Sequence, residues 1–203
     1  MKLEDDSGSL FPFERVAAPC GEMVVVTDPE DTLCLLHWDA DKEEVGRHLR
    51  RQYGRNDIRV EARDTPSAAR KALEAYLAGD LHAIDAVPVK ARGTPFQQEV
   101  WAALRRIPAG ATLSYSGLAA QLNRPQAVRA VGLANGSNPI AVVVPCHRVI
   151  GADGSLTGYG GGLERKRWLL EHEGVDLSRL VSSKRKHSNT DSPQLALLPL
   201  ADR

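Results

Sequence analysis

The first half of the chain carries its apolar residues in short runs, and the second half carries them mostly at helical spacing. "EMVVVTD" and "TLCLLHW" are separated by the turn-forming "PED" and predict a pair of strands. "KEEVGRHLRRQYG" predicts a helix closed by Gly54, and "IRVEARD" alternates as a strand does. "PSAARKALEAYLAGD" places Ala69, Leu73 and Leu77 on one stripe, with Gly79 near its end. Residues 81–92 read as a linker. The expectation for residues 1–91 is an α+β N-terminal domain, a small sheet plus helices.

Past residue 92 the pattern is mainly helical. "TPFQQEVWAALRRIPAG" opens with Thr94 as N-cap, Pro95 at the first helical position and Gln97 at the third, a capping box. Phe96, Val100, Leu104 and Ile107 form its apolar stripe, and Gly110 ends it. "SYSGLAAQL", the break "NRP" and "QAVRAVGLANG" have the spacing of a helix-turn-helix, with Pro125 suited to the first position of the second helix and Gly136 to its end. That second helix is thin, built on Ala127, Ala130, Gly132 and Ala134 around a lone Arg129. It suits close approach to a neighbouring helix or to a DNA groove. The run "PIAVVV" then predicts a short buried strand that Pro145 breaks. The expectation for residues 92–174 is a mainly helical C-terminal domain with a helix-turn-helix and a short active-site strand. "SSKRKHSNTDSPQ" marks residues 175–203 as a disordered tail.

Composition narrows the setting. With 42% hydrophobic and 26% charged residues, the chain has the balance of a soluble protein. No apolar run approaches the ~18 residues of a membrane span, and "MKLEDDSGSLFPF" lacks a signal peptide's apolar core. Cys20, Cys34 and Cys146 are too few and too scattered for a disulfide framework, so a reducing cytoplasm is expected. The formal net charge is zero, yet residues 1–91 are net acidic and residues 92–174 net basic. That asymmetry points the second half toward a polyanion, with moderate, salt-sensitive affinity.

The candidate chemistry lies in "VVVPCHRVIG". A free thiol is only slightly ionised at neutral pH, so an attacking cysteine needs a base or a positive field. His147, beside Cys146, can be that base and would need an orienting partner of its own. Neighbours on an extended strand point to opposite faces, so the pair can cooperate only if the chain turns there or a water bridges them. A buried structural cysteine beside a satisfied histidine, a cysteine hydrolase and a non-enzymatic DNA-binding regulator all remain open on this pair alone.

Taken with "SNP" before it and "GYGGG" and "WLLEHEG" after it, "PCHRVI" resembles the O6-alkylguanine-DNA alkyltransferases (methylated-DNA–protein-cysteine methyltransferases), most closely the bacterial Ogt type. The resemblance runs almost without gaps from Gly93 to Gly174, and earlier residues match only in layout. It implies DNA repair by direct damage reversal: irreversible, single-turnover transfer of an alkyl group from O6-alkylguanine, and from O4-alkylthymine, to Cys146. It implies that His147 takes the thiol proton through a water, Glu173 holds the far side of the imidazole, Asn138 braces the turn before the active-site strand, and Tyr115 assists the departing guanine. Arg129 would fill the space left by a flipped base. Gly132 would bring its helix close to DNA in the minor groove, and Val149, Tyr159 and Gly160 would line the base pocket. No cofactor is implied. Certain relatives bind zinc near the N-terminus, but Cys20, Cys34, His37 and His48 do not reproduce that spacing, so no metal is expected. The partner implied is double-stranded alkylated DNA, engaged by a monomer. In the tail, Gln194 to Leu200, "QLALLPL", resembles the short peptide that bacterial repair proteins insert into the replicative sliding clamp.

Overall fold

The computed structural model describes residues 9–178. The tail segment Gln194–Leu200, with the clamp contact expected of it, lies outside the described residues.

The first half builds a four-stranded sheet from β1 (Ser9–Ala18), β2 (Gly21–Thr27), β3 (Leu33–Trp38) and β4 (Ile58–Ala62), in the order β3-β2-β1-β4. β1 pairs antiparallel with β2 and parallel with β4, and β2 pairs antiparallel with β3. The apolar pattern did not predict β1, because Pro12, Glu14 and Arg15 interrupt it. Both faces of the sheet are covered, which is why β2 contains an unbroken "MVVV" instead of an alternation. Val24 and Val26 pack on α1 (Lys42–Tyr53) through Val45 and Leu49, while Met23 and Val25 face α2 (Ala68–Leu77) and the second half. Asp41 caps α1, and Gly54 closes it in the left-handed conformation at φ 65°. On α2 the buried stripe is Ala69, Leu73 and Tyr76, with the expected Leu77 at its half-buried margin.

Residues 81–92 do not behave as a free linker. Ile84 and Val87 are buried, Leu33 donates its amide to the Pro88 carbonyl at 3.1 Å, and Lys90 donates to the Leu33 carbonyl at 2.8 Å. β3 has an open edge whose polar groups need partners, and this segment supplies them.

The second half contains α3 (Pro95–Leu104), β5 (Leu113–Ser114), α4 (Tyr115–Gln121), α5 (Val128–Gly136), β6 (Val149–Ile150) and α6 (Leu163–His172). The Thr94–Gln97 capping box forms as expected. α5 starts at Val128, later than the spacing suggested. Ala127 donates its amide to the Arg124 carbonyl at 2.8 Å, which spends Pro125 and Gln126 on a turn before the helix.

The run Ile140–Val144 is buried but is not a strand. Its only sheet-like contact among the described residues is the bridge between Leu36 and Ile140, where Leu36 donates to Pro139 at 3.0 Å and Ala141 donates to Leu36 at 2.9 Å. The rest curls, with Val144 donating to Ile140 at 3.0 Å and Val142 at φ 66°, a region costly for a β-branched residue. A short apolar run gives the same periodicity whether it extends or curls. The short strand at the site is β6, which follows Cys146 and pairs in parallel with β5. One core cluster takes in β2, β3, α2, α3, α4 and this curled segment, so Cys146 sits in packing shared by both halves.

Candidate active site

Asn138 shapes the approach to Cys146. Its carboxamide nitrogen donates to the carbonyls of Val144 at 2.7 Å and Ile140 at 3.3 Å, and its oxygen accepts from the Ile140 amide at 3.0 Å. Three bonds from one side chain hold the curl that the Val142 backbone strains against. The chain then turns again. Cys146 donates its amide to Val144 at 2.8 Å and Arg148 donates to Pro145 at 3.0 Å, giving a 3-10 turn over Cys146–Arg148. The turn removes the objection that neighbours on a strand face opposite ways.

His147 is fully buried. Its Nε2 lies 2.9 Å from Glu173 Oε1. Glu173 caps the C-terminal end of α6, and its backbone amide bonds Leu169 at 3.0 Å. The same Oε1 accepts from Tyr76 Oη at 2.8 Å and Arg148 Nη2 at 2.8 Å, while Oε2 accepts from Arg148 Nε at 3.0 Å. Burial would push this carboxyl up, but the bonds from His147 and Arg148 win and hold it at about 2. Glu173 is therefore ionised and can only accept, which assigns the Nε2 proton to His147 and leaves Nδ1 with its lone pair. Nδ1 is buried and has no hydrogen-bond partner among the described residues. Burial lowers the imidazole's affinity for a second proton, outweighing Glu173, so His147 rests neutral.

Burial raises the Cys146 thiol above its ordinary value, opposed by the Asn138 carboxamide and the Lys166 ammonium. Lys166 is itself fully buried, with no carboxylate paired to it among the described residues. It donates to the carbonyls of Val149 at 2.6 Å and Thr157 at 2.7 Å, and burial brings it down to about 8. The resting site thus holds a thiol, a neutral imidazole able to accept, and a cation that favours the thiolate once formed.

Ser114 caps α4 by accepting from the Gly117 amide, which sets Tyr115 at the first helical position, and β5–β6 pairing places Leu113 opposite Val149. Tyr115 Oη lies 3.4 Å from the Thr157 carbonyl and within electrostatic reach of the thiol. Tyr159 accepts from Trp38 Nε1 at 3.0 Å, and its ring centre stands 6.4 Å from that of His147. Val149 is buried in the core behind the turn, whereas Gly160 is exposed and Gly132 half-exposed, facing the Tyr115 ring. Arg129 is exposed on the outer face of α5.

Four residues of this site escaped the sequence reading. Arg148 was visible inside "PCHRVI" as a cation in an apolar run, a position that requires an acid. Lys166 falls on the stripe of Leu169, Leu170 and Glu173, so helical spacing could have marked it as buried. Asn135, whose Nδ2 lies 3.4 Å from the Cys146 carbonyl, and Tyr76 carried no signal beyond burial.

The family described as "6-O-methylguanine DNA methyltransferase, DNA binding domain" matches residues 95–175. Over 161 residues the chain is 47% identical to the methylated-DNA–protein-cysteine methyltransferase of Salmonella typhimurium, covering 79% of this chain and 94% of that protein. The chain belongs to the methylated-DNA–protein-cysteine methyltransferase family. Among solved members, the O6-methylguanine methyltransferase of Mycobacterium tuberculosis aligns at a TM-score of 0.65 with 42% identity, over 80% of this chain and 92% of that one. The OGT of the same organism in complex with DNA aligns at 0.63 with 40% identity, over 84% and 98%. The chain joins a sheet-bearing N-terminal part to a helical C-terminal part, and the structural likeness extends over 80% of it. No helix among the described residues is long and apolar enough to cross a membrane.

Proposed function

We propose that the protein repairs DNA by moving an alkyl group from guanine O6, and from thymine O4, to Sγ of Cys146, once per molecule. The observation that carries this reading is the buried thiol beside a neutral His147, whose Nε2 is committed to an ionised Glu173 and whose Nδ1 is free to accept. His147 takes the thiol proton through a water. The sulfur lone pair then forms the S–C bond to the alkyl carbon while the C–O6 bond breaks, and its electron pair leaves with guanine. Tyr115 gives the departing guanine a proton and regains one from the medium. The product is a thioether. It offers water no carbonyl to attack, so the protein is spent.

The target atom lies inside the base stack, so the nucleotide must leave the duplex. In this reading α4 and α5 act as a helix-turn-helix with α5 in the minor groove, close-packed there through Gly132. Arg129 enters the hole left by the base, Tyr159 and Gly160 border the extruded base, and Val149, buried behind the turn, backs that pocket from the core.

The test is to mix the protein with duplex DNA bearing one methyl-labelled O6-methylguanine. The expected result is one label per chain, on the Cys146 peptide, without added cofactor, and none with Cys146→Ser. Release of several equivalents, or label on Cys20 or Cys34, would overturn the proposal.

A further inference from the structure

Helix α5 turns Arg129, Ala130, Leu133 and Gly136 outward and buries Val131, Ala134 and Asn135. The outward set has i, i+4 and i+3 spacing, so it forms one continuous stripe. Two glycines beside or on that stripe are not required by the protein's own packing. A Cβ at Gly136 would meet nothing within 4 Å, and one at Gly132 would only touch the Tyr115 ring at 3.9 Å. Gly136 ends α5, where a glycine is ordinary, but glycine inside a helix is disfavoured relative to alanine, so the thinness at Gly132 suits a body outside the molecule. On that thinned face stands one bulky apolar side chain. Leu133 is 78% exposed, the most exposed large apolar residue among those described. A single exposed leucine is ordinary on a protein surface. This one lies one turn from Arg129, on a stripe otherwise stripped of side chains, within the residues that match a DNA-binding domain.

We propose that Leu133 is a second wedge that enters the minor groove of duplex DNA beside the lesion. The inference rests on the reading above that α5 occupies that groove. Leu133 sits about 6 Å along the helix axis from Arg129, far enough to reach a neighbouring base step. Apolar side chains pushed between base edges from the minor groove partly unstack a step and bend the duplex. Arg129 fills the space the base vacates, and Leu133 loosens the stack next to it. The two residues divide extrusion between a charged plug and an apolar lever. The ligand is the apolar edge of stacked base pairs and their sugars, so the contact carries little sequence preference.

The experiment compares single-turnover rates on duplex O6-methylguanine with rates on free O6-benzylguanine, which needs no extrusion. In Leu133→Ala the ratio of duplex rate to free-base rate is expected to fall about tenfold, the weight of burying one aliphatic side chain. Leu133→Met, apolar and of similar volume, keeps the wild-type ratio, while Leu133→Asn falls with alanine. An unchanged ratio in Leu133→Ala, or an equal fall in the methionine variant, overturns the wedge. If the wild type takes no alkyl group from the duplex at all, the reading beneath it fails too. If the wild type reacts and Leu133→Ala keeps the same ratio, only the wedge fails.

Discussion

Tyr76 Oη donates a 2.8 Å hydrogen bond to Glu173 Oε1, joining residues 97 positions apart. Tyr76 comes from α2, whose buried stripe packs against the sheet, and Glu173 from the end of α6. The N-terminal part of the chain is therefore more than a support, because it supplies one of the donors on the carboxylate that holds His147. A second tie runs beside it, from the His172 ring to the Tyr76 carbonyl at 2.8 Å.

Tyr76→Phe keeps the ring and removes the donor. With one bond fewer, Glu173 attracts the proton on His147 more strongly, so the imidazolium is stabilised and the histidine's proton affinity rises. The acid limb of the rate profile with free O6-benzylguanine should move to higher pH, with a stability loss of about 1–3 kcal/mol for the buried group left unpaired. A stability loss with an unmoved acid limb would mean that Tyr76 braces the fold without tuning the relay.

Arg148 offers a sharper stability test. Its guanidinium contacts both oxygens of Glu173 and also donates to the Ile107 carbonyl at 2.5 Å, all in a buried setting. Arg148→Ala leaves a buried carboxylate short of its strongest counter-charge, which costs about 3–5 kcal/mol. Arg148→Lys cannot reproduce the two-pronged contact and should recover only part of this. Denaturant unfolding of both variants checks the order, and a loss under about 1 kcal/mol in Arg148→Ala would contradict the assigned role.

What was legible in the sequence was local. Thr94 and Gln97 satisfy each other three residues apart, and Gly54 closes its own helix, so both could be read without knowing the fold. Cys146, His147 and Glu173 were singled out through a motif, and the structure brings the His147 and Glu173 side chains together across 26 residues. The curl of Ile140–Val144 was not legible. Its shape is decided by the Asn138 carboxamide and by β3, while its own apolar run fits a buried strand equally well. Tyr76 was not singled out, because nothing in its neighbourhood reveals an acid 97 positions away.

The protonation states give a pH prediction with a definite sign. Alkyl transfer needs His147 neutral, and burial holds its folded-state affinity below the ordinary 6.5. The rate on free O6-benzylguanine should therefore stay level as pH falls through 6.5 and decline only below it. Stability follows the same direction. The unfolded histidine binds a proton at higher pH than the folded one, so stability is lost as pH drops from 6.5 toward the folded value. Glu173, held at about 2 against an ordinary 4.5, adds a further loss between those limits. An inflection at or above 6.5 in the wild-type rate would show that His147 is not the group titrating.

Gly161 has no room for a side chain. A Cβ placed there would lie 2.5 Å from Trp38 Cδ1, 2.8 Å from Trp38 Nε1 and 2.8 Å from Tyr159 Cε1. All three atoms belong to rings that are hydrogen-bonded to each other, through Trp38 Nε1 and Tyr159 Oη. Neither ring is the loose end of a flexible chain. Trp38 is buried at the end of β3, with the Arg165 guanidinium 4.8 Å from its ring centre. Gly161→Ala must therefore push Tyr159 or the backbone of its loop, at a cost of about 1–3 kcal/mol for overpacking. Because Tyr159 borders the base in the proposed mechanism, rates on duplex and free-base substrates should fall together. That separates this variant from Leu133→Ala, which acts on the duplex alone. Thermal unfolding, tryptophan fluorescence and the two rates form the measurement. An unchanged melting temperature with both rates intact would mean that the loop yields without moving either ring.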